Sequence, residues 1–362
     1  MNAYFIPYDP RNHYTTLVSD YLEKHRINIL NKGITSKYKT ILRSVFEVPL
    51  RHVKVIHVNW IETCAQDRTL KYRFLGWAVL RWVDLMKIYG AKIVWTVHNK
   101  TSHNNSGDVE NTHIFYEKML RRTDMVMVHC RETEDSIVEE YGYPRDKILN
   151  VPHGAYEEEC VTPKRWQLSE IVDHNKFTIV TFGNIVAYKN IPLLIRAYKE
   201  LNDKSLQLII AGSSKNEDLL KEIDEAIVGT DIIFDKRFIP DEEMDSLFSV
   251  CDCVILPYEK ESMYNSGVAV MAFSKGLPVI VSEFGAIKEI SNRSFVYAYD
   301  FENSEENVVE LKKQILKVKD IWLNNREYYS EIKEEAYNYA HHEINWDNIC
   351  RTISNKYLEI QG

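Results

Sequence analysis

Short apolar, β-branched runs alternate with segments of helical period along most of the chain. The runs AYFIPY (3–8), KVIHVN (54–59), KIVWTVH (92–98), MVMVHC (125–130) and ILNVPH (148–153) predict one series of strands. A second series reads KFTIVTF (176–182), LQLIIAG (206–212), DIIFD (231–235), CVILPY (253–258) and LPVIVS (277–282). Between them, HYTTLVSDYLEKH, IPLLIRAYKELN, DEEMDSLFSVC and SGVAVMAFSKG have the length and spacing of helices. Strands apolar on both faces and joined by helices belong to parallel sheets, so two such series predict two Rossmann-like α/β domains. The polar stretch HGAYEEECVTPKRWQLSEIVDHNK separates them, giving domains at 1–160 and 161–340. After residue 303 the chain turns charged and helical, and 341–362 form a terminal helix.

A length of 362 residues exceeds what one core usually serves, which agrees with two domains. The first residues lack a basic segment followed by an apolar one, so no signal peptide is expected. No apolar run reaches the length of a spanning helix. Six scattered cysteines, with Cys251 and Cys253 the one close pair, fit buried thiols in a reducing cytoplasm better than a zinc or redox motif.

Charge changes the picture. The net charge is −8, yet residues 1–100 carry 16 Lys and Arg against 7 Asp and Glu. A basic first third on an acidic chain points to an anionic surface. Within it, LKYRFLGWAVLRWVDLMKIYG (70–90) places Leu75, Ala78, Val79, Trp82, Leu85 and Met86 at helical spacing among Lys71, Arg73, Arg81 and Lys87. Such a helix covers a sheet, contacts a membrane interface, or does both. No recognition motif accompanies the charge, so nucleic acid is not an expected partner.

In open parallel sheets ligands bind past the carboxyl ends of the strands, which singles out 9–14, 59–62, 98–103, 153–154, 183–189, 212–214, 258–267 and 282–289. Lys189 closes GNIVAYKN after a strand, with Gly183 and Asn184 at the strand's end. Ser266 and Gly267 open a helix after Tyr264, and a helix start favours an anion. Each feature alone is common. A lysine and a helix start on neighbouring crossovers would together grip a diphosphate without a metal ion. His98 ends a strand and could bond a sugar hydroxyl or act as a base. His13 and His103 are weaker cases, His57 and His129 read as packed, and no spacing among the cleft histidines, His153 included, supports zinc.

The ordered segments TVHN, VPHGAY, FGNIVAYKN, LIIAGSS, FIPDEEMDSLFSVCDCVILPY and SGVAVMAFSKGLPVIVSEFGAIKEI resemble GT-B glycosyltransferases, and among them the retaining group 1 nucleotide-sugar transferases of bacterial polysaccharide assembly. The resemblance runs nearly end to end and is strongest over 148–295. It implies two Rossmann-like domains facing a cleft, donor nucleotide on the C-terminal one, and a last helix returning to the N-terminal one with Trp346 and Tyr357 as anchors. It also implies Lys189 on the donor diphosphate, Ser266 and Gly267 on the distal phosphate, Gly212 and Ser213 beside the nucleoside, and His98 near the donor sugar. Asn184 stands where the family usually has arginine, and Val186 where close relatives have one. Arg237 is a candidate replacement cation. The family's paired glutamates fall on Met263 and Met271, with Glu261 nearby as a contact to sugar or ribose.

The expected chemistry is transfer of a sugar from a nucleotide-diphosphate donor to a hydroxyl of a glycan or lipid-linked acceptor, with no cofactor or metal. If the transfer inverts, Asp9, His13 and Glu62 are candidate bases, and with Trp60 they mark the acceptor side. Two alternatives stay open: a nucleotide-sugar epimerase of the same fold, and a sugar-nucleotide or glycan-binding protein without turnover. The expected location is the cytoplasm, with contact at the inner membrane face.

Overall fold

The computed structural model describes residues 1–65, 69–98, 109–157, 162–260 and 263–361. His103 and Glu261 lie outside these residues. The chain divides into two compact units, Met1–Gly154 with Ile344–Gly362, and Ala155–Glu343.

The first unit is built on six parallel strands in the order β2-β1-β3-β4-β5-β6. These are β1 (Asn2–Ile6), β2 (Asn28–Ile29), β3 (Val55–Asn59), β4 (Lys92–Thr96), β5 (Met125–Val128) and β6 (Ile148–Asn150). Helix α1 (His13–Lys24) joins β1 to β2. Helices α2 (Lys37–Leu50), α3 (Leu70–Ile88), α4 (Val109–Leu120) and α5 (Arg131–Tyr141) join the later strands in turn. A right-handed crossover puts α1 on one face, because β1 to β2 runs toward the sheet edge. The same rule puts α2 to α5 on the other face, because those connections run the opposite way. Side-chain alternation agrees. Tyr4, Ile6, Ile56, Val58, Ile93 and Trp95 share a core with Val48 of α2, Val79 of α3, Phe115 of α4 and Ile137 of α5.

The opposite face carries the terminal helix α13 (Trp346–Glu359), which packs against α1. His57 of β3 sits between the hydroxyls of Tyr357 and Thr96, and Asn345 caps the helix by accepting from the Asn348 amide. Trp346 and Tyr357 are fully buried. Gly154 lies flat against the Trp346 indole, where a Cβ would come within 2.3 Å of the ring. The return of the last helix to the N-terminal unit, implied by resemblance, is thus explained by contacts of this chain.

The second unit holds six parallel strands in the order β12-β11-β10-β7-β8-β9. They are β7 (Phe177–Phe182), β8 (Leu206–Ala211), β9 (Ile233–Asp235), β10 (Cys253–Leu256), β11 (Val279–Ser282) and β12 (Val296–Tyr299). Every residue of β7 and β8 is buried, as expected where helices cover both faces. The crossover helices are α6 (Ile191–Leu201), α7 (Glu217–Ala226), α8 (Asp241–Ser249), α9 (Gly267–Ser274) and α10 (Gly285–Glu289). The long helices α11 (Ser304–Asn324) and α12 (Arg326–Asn338) follow. The stretch expected to be a polar linker is anchored at Trp166, which is fully buried and donates its indole N–H to Asp235 at 2.8 Å. No helix among the described residues is long and apolar enough to cross a membrane.

The contact of Gly154 with Trp346 yields a prediction. Gly154→Ala must push the indole or the backbone aside, and overpacking of this kind costs about 1–3 kcal/mol. Urea unfolding should show a lower midpoint for this variant, with the loss confined to the first unit.

Candidate active site

At the carboxyl ends of β7 and β8 two glycines meet. A Cβ on Gly212 would lie 1.9 Å from the Gly183 carbonyl oxygen, so only glycine fits there. Gly183 itself has φ +94°, a left-handed conformation that other residues rarely adopt. The Gly183 amide donates to Ala211, Gly212 to Asp235 and Ile185 to Ser213, so the loops after β7, β8 and β9 are stitched into one surface.

After Gly183 the chain makes a single 3-10 turn, Ala187–Lys189, which ends on Asn190 in the left-handed region. Asn190 donates its side-chain amide to the Pro257 carbonyl, and the Glu259 amide donates to Tyr188, so the turn is pinned to the end of β10. This folds the Lys189 side chain back into the protein. Its Nζ donates to the Phe182 carbonyl at 2.9 Å and lies 5.6 Å from the centre of the Tyr258 ring. Lys189 is 5% exposed and pairs with no carboxylate among the described residues. Burial lowers its pKa from 10.5 to about 8.

Helix α9 starts beside this ammonium. A Cβ on Gly183 would lie 3.2 Å from Lys189 Nζ and 3.7 Å from Val268 Cγ2, and its absence leaves room at the junction. Ser266 caps α9 by accepting from the Ala269 amide at 3.3 Å, which leaves the Gly267 and Val268 amides without partners in the helix. A Cβ on Gly267 would meet the Tyr156 hydroxyl at 2.7 Å. The structure therefore brings Lys189, Gly183, Gly212, Ser213, Ser266 and Gly267 to one end of the second sheet. A buried ammonium beside unpaired amides is a setting for a multiply charged anion.

Other expected members sit differently. Arg237 is not an available cation: it pairs with Glu243 and, at 3.2 Å, with the buried Asp235. Tyr264 is buried, and its carbonyl accepts from the Ala286 amide where Gly285 approaches too closely for a Cβ. It supports the loop from inside and does not line an open surface. Asn184 is exposed and neutral, Val186 is half-buried, and Met263 and Met271 are half-buried apolar side chains where carboxylates were sought.

In the first unit, His98 follows β4 and stacks on the Trp60 indole, with ring centres 4.2 Å apart and planes 14° from parallel. Trp60 has φ +46°, unusual for a bulky residue, and Lys37 donates to its carbonyl. His98 Nε2 donates to Asn59 Oδ1 at 3.0 Å, which leaves Nδ1 as the acceptor. Tyr14 packs edge-on against His98, His129 and Trp346. Burial lowers the pKa of His98 well below 6.5, that of His129 to about 3 and that of His153 to about 4, so all three rings are neutral at pH 7. The sequence identified His98 and Trp60. Tyr14, Asn59 and Tyr258 it marked only as members of strand-end segments and Tyr156 only within VPHGAY, because their roles come from contacts between distant elements.

The candidate bases separate by environment. Asp9 is paired with Arg11 at 2.9 Å, and this hydrogen-bonded partner lowers its pKa, making it a weaker base. His13 is the first residue of α1 and partly exposed. Glu62 lies in the 3-10 turn Ile61–Ala65, is buried, and has its pKa raised to about 7 by desolvation. That acidity suits a base near neutrality, but its Oε2 is sealed from solvent and has no hydrogen-bond partner among the described residues. No group of three His, Cys, Asp or Glu among the described residues could hold a metal ion.

Lys189 carries a testable penalty. Below pH 8 it is charged in both folded and unfolded chains, and the lowered pKa corresponds to roughly 3 kcal/mol of destabilisation, relieved as pH rises from 8 toward 10.5. Lys189→Met removes the charge while losing one hydrogen bond worth about 1 kcal/mol. At pH 7 the variant's thermal transition should rise by about 5 °C, with the gain shrinking above pH 9.

Comparison with known proteins places this arrangement. Residues 164–339 match the family described as glycosyl transferases group 1. An uncharacterized glycosyltransferase of Methanocaldococcus jannaschii is 24% identical over 251 residues, covering 66% of this chain and 61% of the relative, so the chain spans less than two thirds of that protein. The GDP-mannose:glycolipid 4-beta-D-mannosyltransferase of Xanthomonas campestris is 24% identical over 275 residues, covering 72% of this chain and 70% of that protein. Among solved structures, Anabaena HepE in complex with UDP and glucose superposes with a TM-score of 0.68 at 14% identity, over 99% of this chain and 100% of that one. At that identity the likeness speaks for the fold alone. The second unit thus carries a group 1 glycosyl transferase domain over residues 164–339, within a chain of GT-B fold.

Proposed function

We propose that this chain transfers a sugar from a nucleotide-diphosphate donor to a hydroxyl of a glycan or lipid-linked acceptor, in the assembly of a bacterial surface polysaccharide at the cytoplasmic face of the membrane. The observation that carries the reading is Lys189, a buried ammonium with no carboxylate partner among the described residues, beside the start of α9. As the bond from the anomeric carbon to the diphosphate breaks, negative charge grows on the leaving phosphate. Lys189 and the α9 amides are fixed donors aimed at that charge, so they stabilise the transition state without reorganising. They do so without a metal ion in this reading. The acceptor oxygen forms the new bond, and in a same-face, retaining transfer the departing phosphate oxygen takes its proton, so no separate base is required.

Support for the donor class comes from HepE, solved with UDP and glucose, and support for the acceptor class from the mannosyltransferase, named for a glycolipid. Gly183 and Gly212 let backbone approach the nucleotide closely, and Ser213 lies at the end of β8 for its nucleoside side. Asn184 leaves the diphosphate with one fixed positive charge fewer than an arginine would supply. In the first unit, His98 offers Nδ1 as an acceptor for a hydroxyl, held in place by Trp60 and Asn59.

Calorimetric titration with UDP, GDP and ADP tests the reading. One diphosphate should bind in the micromolar range with magnesium absent, and Lys189→Met should weaken it at least 30-fold, about 2 kcal/mol. If none binds, or the variant binds equally well, the proposed site is wrong. Incubation with donor sugars but no acceptor should leave them unchanged, whereas an epimerase would convert them.

A further inference from the structure

Helix α2 is apolar on two sides. It buries Thr40, Ser44 and Val48 and packs Ile41 and Val45 against the core, while Tyr38, Leu42, Phe46 and Leu50, spaced four apart, form an exposed stripe. Helix α3 buries Val79, Trp82, Val83 and Met86 against the sheet. On its other side Leu70, Phe74, Trp77 and Ile88 are more than half exposed, and the Phe74 and Trp77 rings lie 5.7 Å apart. Both helices belong to the same layer and touch through the hydrogen bond from Trp82 Nε1 to Ser44 Oγ. Each apolar stripe points away from the sheet, so the two form one outward surface.

The charge on this surface has one sign. Helices α2 and α3 carry seven Lys and Arg and two carboxylates, Glu47 and Asp84. Both carboxylates are neutralised locally, Glu47 by Arg43 and Asp84 by Arg81 and Arg122. Lys39, Lys71 and Arg73, together with Lys118 of α4, make no ion pair among the described residues. Between α3 and α4 lies a groove of about 300 Å³ with Gly76, Phe115, Trp77 and Ile114 at its apolar part and Arg73 and Lys118 at its rim.

We propose that the outer face of α2 and α3 docks on an anionic lipid bilayer, with the α3–α4 groove accommodating the acyl or isoprenoid chain of one anionic lipid whose phosphate meets Arg73 and Lys118. The composition is that of an interfacial surface: aromatic and aliphatic side chains enter the headgroup boundary while lysines and arginines attract the negative leaflet. A protein partner of ordinary kind would not require this surplus of unpaired cations, and aromatics are enriched where one end is apolar and the other wet. The helices lie on the membrane and do not span it. This deepens the reading above and rests on it for its purpose, since a lipid-linked acceptor is found at such a surface. Its test uses no nucleotide, so the two can fail separately.

The whole chain is floated with phosphatidylglycerol vesicles and with phosphatidylcholine vesicles, at low and high salt. Binding to the anionic vesicles and its weakening by salt are expected. Phe74→Ser with Trp77→Ser should reduce partitioning at least tenfold. Lys39→Gln with Lys71→Gln and Arg73→Gln should reduce it ~100-fold, at about fivefold per cation. All five side chains are exposed, so circular dichroism should show the fold unchanged. Brominated lipid should quench the fluorescence of the parent chain and quench Trp77→Phe far less, because Trp77 is the most exposed of the seven tryptophans. Equal binding to both kinds of vesicle, no binding to either, or self-association through this face in place of vesicle binding overturns the proposal.

Discussion

A charged amine buried in protein must find an anion, lose its proton or destabilise the fold. Lys189 is in that position: among the described residues it meets one backbone carbonyl and an aromatic ring. The surrounding elements explain why it is there. Gly212 must be glycine for β7 and β8 to end so close together, Gly183 takes a left-handed turn beside the Lys189 ammonium, and the left-handed Asn190 turns the chain so that Lys189 points back over the strand ends. Helix α9 then adds amides on the far side of Gly183. The unit holds a positive charge with no carboxylate partner among the described residues at the carboxyl ends of its strands, the place where parallel sheets receive ligands.

The first unit has the opposite electrostatic character around His98. Burial keeps His57, His98, His129 and His153 neutral, and Tyr14 and Trp346 fill the space between several of their rings. A neutral cluster of this kind offers hydrogen bonds without a charge. The C-terminal helix contributes to it directly, since Trp346 packs on Gly154 and Tyr14 while Tyr357 meets His57. The last residues of the chain therefore shape the part of the first unit that holds His98.

Much of the fold was legible because strands buried on both faces leave continuous apolar runs, and ten strands appear within a few residues of their expected places. β2 and β12 did not register: both are edge strands, one of two residues and one rich in tyrosine. Helix α2 was hidden for a different reason, since four of its apolar positions face outward and two of its three buried ones are threonine and serine. Lys189, Ser266 and Gly267 were legible because strand ends in a parallel sheet converge by topology. The fate of Arg237 was not, because its pairing with Glu243 depends on how the chain turns after β9. Neither the burial of Tyr264 nor the contacts of Tyr14 and Tyr258 could be inferred, as each joins residues far apart in sequence.

The central claim is that the Lys189 ammonium is the charge that receives the donor's diphosphate. Calorimetry of nucleoside diphosphate binding at pH 8.5, repeated in buffers of different ionisation enthalpy, tests it directly. At that pH a lysine with pKa about 8 is mostly neutral in the unliganded protein, and the diphosphate is fully ionised. Binding should therefore take up a net proton fraction on the order of one half or more, and Lys189→Met should abolish the uptake. Binding with no proton uptake, or with the same uptake in the variant, would contradict the account.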